Sequence, residues 1–406
     1  MASRAVPVAA RHLRLIHPSA RAASGSEAQL ATKRSVALLL GSTGFLTVAG
    51  LIMVLSASSI SAYSQFGDSF LFFGRQAAYA VAGTLGLLLT ARMRYQAWQR
   101  IAVPLLGLTV VMLAVVLHPA AGVEAYGSSR WVALGPVTIQ PSEIAKLTLV
   151  VFAAAVLTRK WGKLDDLGHL ALPLLPVVLL VCGMVLAQPD LGTTVILAGS
   201  LFLLLFAAGV RMRYLLAGAV VGSAVGLGLI MSADYRRVRF LSFLHPTADP
   251  KNTGWQLLQS LIALGSGGWT GVGLGASRQK WMYVPNAHTD FIFSILGEEL
   301  GLLGEIVVLG AFAVLIYAGI RVAARAGDIF GRLLAAGIVS WFGLQILVNL
   351  GAVTGLMPIT GVPLPFLSYG GSSIVVSLAA VGILVNIARS PVRGARRHAG
   401  RQRRAA

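Results

Sequence analysis

The sequence has little cysteine and little charge, and each shortage excludes some classes of protein. One of its 406 residues is cysteine, Cys182, which excludes an intramolecular disulfide and argues against a thiolate metal site. Charged residues make up 12% of the chain, whereas soluble domains carry about 25%. The GxxxxGK[ST], HExxH, GxSxG and CxxC motifs of soluble enzymes are missing too. Apolar stretches instead recur from residue 36 to 388, which indicates a polytopic membrane protein.

The few charges are strongly biased in sign. Lys and Arg number 33 against 14 Asp and Glu, which gives a formal net charge of +19. Such a balance is typical of nucleic-acid-binding proteins, but cations at membrane boundaries produce the same total. With the N-terminus in the cytoplasm, the predicted inner segments hold 24 of the cations and four of the acids. The bias therefore predicts that both termini are cytoplasmic, and no nucleic-acid partner is needed to explain it.

We predict an all-α fold with ten transmembrane helices, because a spanning helix needs about 20 apolar residues. The predicted helices are 36–57, 70–91, 101–118, 142–158, 169–188, 191–210, 214–233, 290–320, 330–356 and 372–388. They form one transmembrane domain, 36–388, between a basic disordered arm, 1–35, and a basic tail, 389–406. Three outer segments are long enough to carry function. They are 119–141, 357–373 and, between helices seven and eight, the large loop 234–289.

Asp290 is the most informative ionisable residue. It precedes the apolar run of the eighth predicted helix, so its carboxylate lies at the outer end of that helix. A charge beside hydrocarbon is costly and usually functional, but aspartate is also a good N-cap. Ser294, Gly297 and Gly301 fall near the same helical face, where they leave room for a substrate or for a neighbouring backbone. The residues alone leave both interpretations of Asp290 open.

Other charged residues have both a structural and a functional interpretation. Glu143 and Lys146 are three residues apart on the fourth predicted helix and can form an ion pair. Alternatively, Lys146 binds an anionic headgroup. Arg130, Arg278 and Lys280 lie in outer segments, where cations do not help orientation. They are therefore either candidates for phosphate binding or solvated loop charges.

Four further features favour structural roles. Glu298 and Glu299 lie deeper on the eighth predicted helix, where buried hydrogen bonds would fix its packing. A lone histidine such as His288 is weak evidence for catalysis. The glycine-rich run 271–275 superficially resembles a dinucleotide fingerprint, but no strand precedes it. We therefore expect a close-packed or re-entrant turn there.

Several long motifs occur in a fixed order along the chain. They are GLIMVLSASS at 50–59, SSRWV at 128–132, IQPSEIAK at 139–146, QPDLGTT at 188–194, the run from 254 to 304, and PITGVPLPFLSYGGSS at 358–373. Together they resemble the SEDS family (shape, elongation, division and sporulation) of bacterial wall synthesis. The similarity covers about residues 36–390 and is more like the division member than the rod-elongation member. One departure is Asn286, where the family commonly has glutamate.

The resemblance implies a peptidoglycan glycosyltransferase that polymerises lipid II. It would act at the outer face of the bacterial cytoplasmic membrane, at the division septum. The partners implied are lipid II, membrane lipid, a class B penicillin-binding protein transpeptidase and other division proteins. The resemblance fixes no cofactor, and a divalent cation, Mg or Mn, is compatible with a diphosphate leaving group. We assign no metal ligands.

The resemblance also assigns roles to residues. The family's essential aspartate corresponds to Asp290, which we expect to act as general base on the attacking sugar hydroxyl. The candidate substrate-binding residues are Arg130, Lys146, Arg278, Lys280, His288, Ser368 and Tyr369, and the four cations among them would stabilise the diphosphate. The acids with structural or supporting roles are Glu143, Glu298 and Glu299.

Two other functions stay open at this point. A lipid II flippase would explain charges and Pro/Gly interruptions among spanning helices, although the halves show no convincing internal repeat. A non-catalytic scaffold that recruits a transpeptidase is the other. Polymerisation of purified lipid II, with and without that partner, separates the three.

Overall fold

The computed structural model describes residues 25–390 except for 119–121, 126–127, 136, 251, 282 and 286. The predicted roles of the remaining arm and tail, and of Asn286, lie outside the described residues. Within the described part, the helices are α1 Gly25–Phe66, α2 Leu71–Arg92, α3 Gln96–Leu117, α4 Pro141–Arg159, α5 Leu167–Ala187, α6 Leu191–Ala207, α7 Met212–Met231, α8 Asp234–Leu244, α9 Trp255–Ser266, α10 Ile292–Arg325, α11 Ile329–Val353 and α12 Gly371–Arg389. The strands are β1 Gly122–Ala125, β2 Ser128–Leu134 and β3 Val137–Ile139.

Each of the ten predicted apolar segments coincides with a helix, and the all-α membrane fold is confirmed. Eight helices of the described chain are long and apolar enough to cross a membrane, and α6 is a shorter apolar helix. Two boundaries differ from the prediction. The first helix already begins at Gly25, so residues 25–35 are helical and do not belong to a disordered arm. The large outer loop also contains two helices, α8 and α9.

The helices at the centre of the bundle are buried, and those at its periphery expose apolar side chains. α4 buries most of its side chains, and α11 is buried along most of its length. α7 is the opposite, because Leu215 is its only buried residue among those described. A soluble protein rarely exposes so many apolar side chains to water. They match the hydrocarbon of a bilayer, which needs no polar outer face.

A small antiparallel sheet covers one end of the bundle. β2 pairs with both neighbours in the order β1-β2-β3, and the register places Val132 opposite Gly122 and Ile139. The strands lie directly before α4, whose first turn begins with Pro141, a residue suited to an N-terminal position. The sheet therefore holds Arg130 above the N-terminal ends of neighbouring helices.

α10 is bent where the glycine-rich run packs against it. Gly301 has φ 65° and ψ −169°, which interrupts the helix. The backbone N–H groups of Val272 and Gly273 donate to the carbonyls of Glu298 and Glu299, at 2.9 and 3.1 Å. This confirms the expected close-packed turn and excludes any phosphate-binding geometry there. The face of Ser294 and Gly297 contacts α9, since Ser294 shares a 2.7 Å hydrogen bond with Ser260.

Replacing Gly271 should test this packing. Gly271 has φ +78°, and a Cβ there would collide with the carbonyl of Glu299. Left-handed backbone alone costs about 1–2 kcal/mol for other residues, so we expect Gly271→Ala to lower the melting temperature of the purified protein markedly. Gly265→Ala is the matched control, because that helical glycine has open space around it. Equal melting temperatures for both variants would contradict the packing described.

Candidate functional site

A cavity of about 640 Å³ opens at the end of the bundle covered by the sheet. Its walls come from the N-terminal ends of α4 and α6, from α8, from residues 288–290 directly before α10, and from the Pro-rich segment 357–373. The ionisable residues on its walls are Arg130, Glu143, Asp190, Arg236, Arg239, His288, Asp290, Tyr79 and Tyr369. The predicted outer segments therefore converge on one polar chamber.

Asp290 lies on the wall of this cavity. The residue at the N-cap of α10 is Phe291, so the N-cap interpretation of Asp290 is wrong. The side-chain amide of Asn349 holds the aspartate backbone in place, since it donates to the carbonyls of Asp290 and Val362 at 2.9 and 2.8 Å. Gly361 lies beside the carboxylate and has no side chain to crowd it. A Cβ at this position would be in van der Waals contact with Oδ2, at 3.4 Å.

The pKa of Asp290 is raised to about 6. Burial is the main cause, because it penalises the charged form, and the negative charge of Asp190 adds to it. The positive charges of Arg239 and Arg130 act in the opposite direction. A carboxylate with this pKa is mostly ionised at neutral pH and binds a proton more readily than an ordinary aspartate. These properties suit a general base.

Arg130 is the one predicted cation that lines the cavity. Its guanidinium donates to the carbonyls of Gln188 and Pro189, at 3.1 and 2.5 Å. One of its Nη atoms also lies 4.0 Å from the carboxylate of Asp190. These contacts fix the guanidinium at the start of α6, facing the same space as Asp290.

Asp190, Arg236 and Arg239 are site residues that the sequence analysis did not single out. Asp190 caps α6, since its carboxylate accepts from the backbone N–H and hydroxyl of Thr193 at 3.0 and 2.8 Å. The motif QPDLGTT contains it and was the available signal. The two arginines are one turn apart on α8, which explains why both reach the cavity.

His288 and Tyr369 line the cavity as aromatic surfaces. The imidazole stacks on Phe72 with centroids 4.9 Å apart and meets Tyr369 edge-on at 5.5 Å. The backbone N–H of Tyr369 donates to the carbonyl of His288 at 2.9 Å. Burial lowers the pKa of His288 to about 4 and raises that of Tyr369. The imidazole is therefore neutral and adds no positive charge to the site.

Lys146 is not a cavity cation, so its predicted substrate-binding role is not supported. Its ammonium is buried and donates to Glu143 Oε1 at 2.7 Å and to Gln345 Oε1 at 2.9 Å. It also lies 5.5 Å from the ring centroid of Trp341. The predicted ion pair is the correct interpretation. Glu143 itself reaches the cavity wall, and its Oε2 has no hydrogen-bond partner among the described residues.

Three other predicted substrate contacts also lie away from the cavity. Lys280 is buried against α10, with its ammonium 3.4 Å from Glu299 Oε1 and 2.6 Å from the carbonyl of Gly275. The side chain of Arg278 is exposed and does not line the chamber. Ser368 is buried, and its hydroxyl accepts from the N–H of Leu364 at 2.8 Å. Their position in predicted outer segments did not show which protein groups these side chains contact.

Glu298 and Glu299 have the structural role that was expected. Glu298 accepts from the hydroxyl of Ser277 at 2.5 Å and from the N–H of Arg278 at 2.9 Å. Glu299 accepts from the hydroxyl of Ser56 at 2.6 Å, which connects α10 to α1. Both carboxylates are almost completely buried. They fix the segment before Asp290 on the helix that follows it.

The described side chains of the cavity do not form a metal centre with protein ligands alone. Within the described residues, no cluster of three or more His, Cys, Asp or Glu side chains could hold a metal ion. The acids of the cavity also share it with arginines, which compete with a cation for the carboxylates. We therefore derive no step through a divalent cation.

A bundle of apolar helices with a polar chamber at one end defines a polytopic membrane protein with a site beside the membrane surface. Residues 37–392 match the model of the FtsW/RodA/SpoVE family, described as cell cycle proteins. The chain therefore belongs to this family, the SEDS family expected from its motifs.

Curated relatives and solved structures agree with this assignment. The chain is 44% identical to the probable peptidoglycan glycosyltransferase FtsW of Trichlorobacter lovleyi, over 84% of this chain and 90% of that one. It is 41% identical to stage V sporulation protein E of Bacillus subtilis, over 87% and 96%. A chain from a peptidoglycan synthase complex that coordinates polymerization and crosslinking superposes with a TM-score of 0.70, at 30% identity over 86% and 96%. The rod shape determining protein RodA of Thermus thermophilus gives a TM-score of 0.62, at 29% identity over 86% and 95%.

A double-variant comparison should show that Lys146 is a structural cation. Lys146→Met leaves Glu143 as a buried carboxylate without its charge partner, which typically costs about 3–5 kcal/mol. We expect a large fall in melting temperature, and partial recovery in the pair Glu143→Gln/Lys146→Met, which removes the unpaired charge. A Lys146→Met variant of normal stability and impaired substrate binding would contradict this role.

Proposed function

We propose that this protein is a peptidoglycan glycosyltransferase that polymerises lipid II during septal cell-wall synthesis. The observation that carries the proposal is the position of Asp290, with its raised pKa, in a chamber that also contains Arg130, Arg236 and Arg239. The relatives named FtsW favour the division type over rod elongation. The proposed location is the outer face of the cytoplasmic membrane.

The reaction needs a base and a site for an anion. The C4 hydroxyl of one lipid II attacks the anomeric carbon of the growing chain, and the bond from that carbon to the diphosphate oxygen breaks. Asp290 takes the hydroxyl proton as the new glycosidic bond forms. The undecaprenyl diphosphate leaves as an anion, and the guanidinium groups stabilise its charge.

The walls of the cavity supply separate surfaces for the parts of the substrate. Val195, Ile230 and Met357 form an apolar part, which suits the first isoprenyl units of the tail. Glu143 Oε2 is buried at the wall and can accept a hydrogen bond from a sugar hydroxyl or amide. His288 and Tyr369 present aromatic surfaces to the same space.

A crosslinking partner is part of the proposal. The matched synthase complex combines polymerization and crosslinking, which supports a class B penicillin-binding protein as partner of this chain. We propose that the pair works at the septum with other division proteins. The polymerisation assay is therefore run with and without the transpeptidase of the same organism.

Removing the base should abolish polymerisation. Asp290→Asn keeps the size of the side chain but cannot accept the proton, and general bases contribute about 10²–10⁴-fold to rate. We expect loss of glycan strands from purified lipid II, at least 100-fold in rate, with unchanged melting temperature. Asp249→Asn is the control, since that carboxylate caps a turn of the outer loop away from the cavity. An active Asp290→Asn enzyme would refute the proposal.

The pH dependence should report the charge balance around Asp290. Only the ionised carboxylate accepts a proton, so the rate should fall as the pH decreases through about 6. Arg239 lowers the pKa of Asp290, so Arg239→Gln should raise that pKa and move the acid limb to higher pH. Arg237→Gln is the matched control on the same helix, because Arg237 is exposed and pairs with Asp234 at 3.1 Å. If the acid limb of the pH–rate profile is at the same pH in Arg239→Gln as in the wild type, the proposed effect of Arg239 on Asp290 is wrong.

A further inference from the structure

The outer segment 267–283, here called the interface loop, has an exposed aromatic face. Trp269 is 71% exposed and Trp281 62%, and Val272, Leu274 and Tyr283 are exposed beside them. Large apolar side chains rarely cluster on a surface that only water contacts. The reaction proposed above uses none of them, since the cavity is lined by other residues.

The charge of this region fits a membrane surface. Residues 255–283 contain no Asp or Glu and two cations, Arg278 and Lys280. Lys280 is buried, whereas Arg278 is exposed. Tryptophan and tyrosine are enriched where membrane meets water, because each has an apolar ring and a polar group.

The hydrogen bonds of the interface loop fix its depth. After the kink at Gly301, exposed apolar side chains continue along α10 from Leu302 to Ile320. At a rise of about 1.5 Å per residue this length is about 28 Å, close to the hydrocarbon thickness of about 30 Å. The N–H groups of Leu302 and Leu303 donate to the carbonyls of Gly268 and Trp269, at 2.9 and 3.1 Å. Trp269 is therefore held at the end of this exposed apolar face.

The opposite face of the loop is fixed to the protein. Ser277 and Lys280 are buried against Glu298 and Glu299. The aromatic face therefore cannot turn inward to bury itself. It continues the lipid-exposed surface of α10, and this continuity identifies its occupant as lipid.

We propose that the interface loop docks on the outer leaflet, with Trp269 and Trp281 in the lipid–water interface. The loop leads directly to Asp290, and its buried face is bound to the helix that follows that residue. The docking sets the height of the Asp290 carboxylate relative to the membrane surface. The inference concerns what this surface contacts and is independent of the proposed reaction.

Site-directed spin labelling of the full chain tests the docking. The only cysteine, Cys182, is buried and can be replaced by alanine. Single variants Trp269→Cys and Trp281→Cys are labelled with a nitroxide and placed in phosphatidylglycerol/phosphatidylethanolamine vesicles. Accessibility to oxygen and to a water-soluble nickel chelate gives the depth of each label. Leu309→Cys on the exposed face of α10 is the hydrocarbon reference, and Asn252→Cys in the exposed turn before α9 is the aqueous one.

We expect both loop labels to have depths between the two references, with nickel accessibility several-fold below that of Asn252→Cys. Two results would overturn the proposal. Nickel accessibility equal to the aqueous reference would show that the loop is in water. Low accessibility to both reagents would show that protein covers it. The melting temperature of each variant confirms that the label has not disturbed the fold.

Discussion

The cost of placing a charge in hydrocarbon is the constraint on which this structure depends. An unpaired ion in a bilayer is expensive, so each charge of the described bundle must be neutralised, exposed to water or used. Lys146 is neutralised by Glu143 and Lys280 by Glu299, both in buried pairs. Others, such as Arg278 and Arg237, are exposed, and Arg130, Arg236, Arg239, Asp190 and Asp290 line a single chamber at one end. Burial of Asp290 there raises its pKa, which suits the carboxylate to the proposed role of general base.

α10 connects the consequences of this constraint. Its N-terminal end follows Asp290, its first turns hold Glu298 and Glu299, and its kink at Gly301 receives the interface loop. Beyond the kink, exposed apolar side chains continue along one face of the helix. One helix thus relates the Asp290 carboxylate, a buried polar network and an exposed apolar surface. A substitution at the kink would therefore disturb the site without touching the cavity.

The sequence predicted the elements of this structure better than it predicted their contacts. Apolar runs located ten of the twelve helices of the described chain, because the requirement for length and hydropathy acts locally along the sequence. The position of Asp290 at the start of α10 was also predictable, because it directly precedes an apolar run, whereas its role, implied by the family motifs, stays a prediction. The partner of Lys280 was not predictable, since a cation in an outer segment has the same appearance whether it meets substrate or a buried glutamate. For Lys146 the spacing offered Glu143 as a partner but did not decide between that ion pair and an anionic headgroup. Only the packing of α10 and α11 distinguishes these cases. Arg239 was missed for the converse reason, because α8 was not predicted.

The balance of charge in the chamber suggests how the two halves of the proposed reaction are coupled. Arg130 and Arg239 lower the pKa of Asp290, whereas burial and Asp190 raise it. The bound diphosphate gains a further negative charge as its bond to the sugar breaks, and this charge offsets that of the guanidinium groups, so their effect on Asp290 weakens. The pKa of the aspartate then rises at the moment when it has taken the proton from the attacking hydroxyl. Departure of the diphosphate restores the field of the arginines, and Asp290 releases its proton before the next cycle. A single electrostatic field would thus link bond cleavage to proton transfer without direct contact between the two groups.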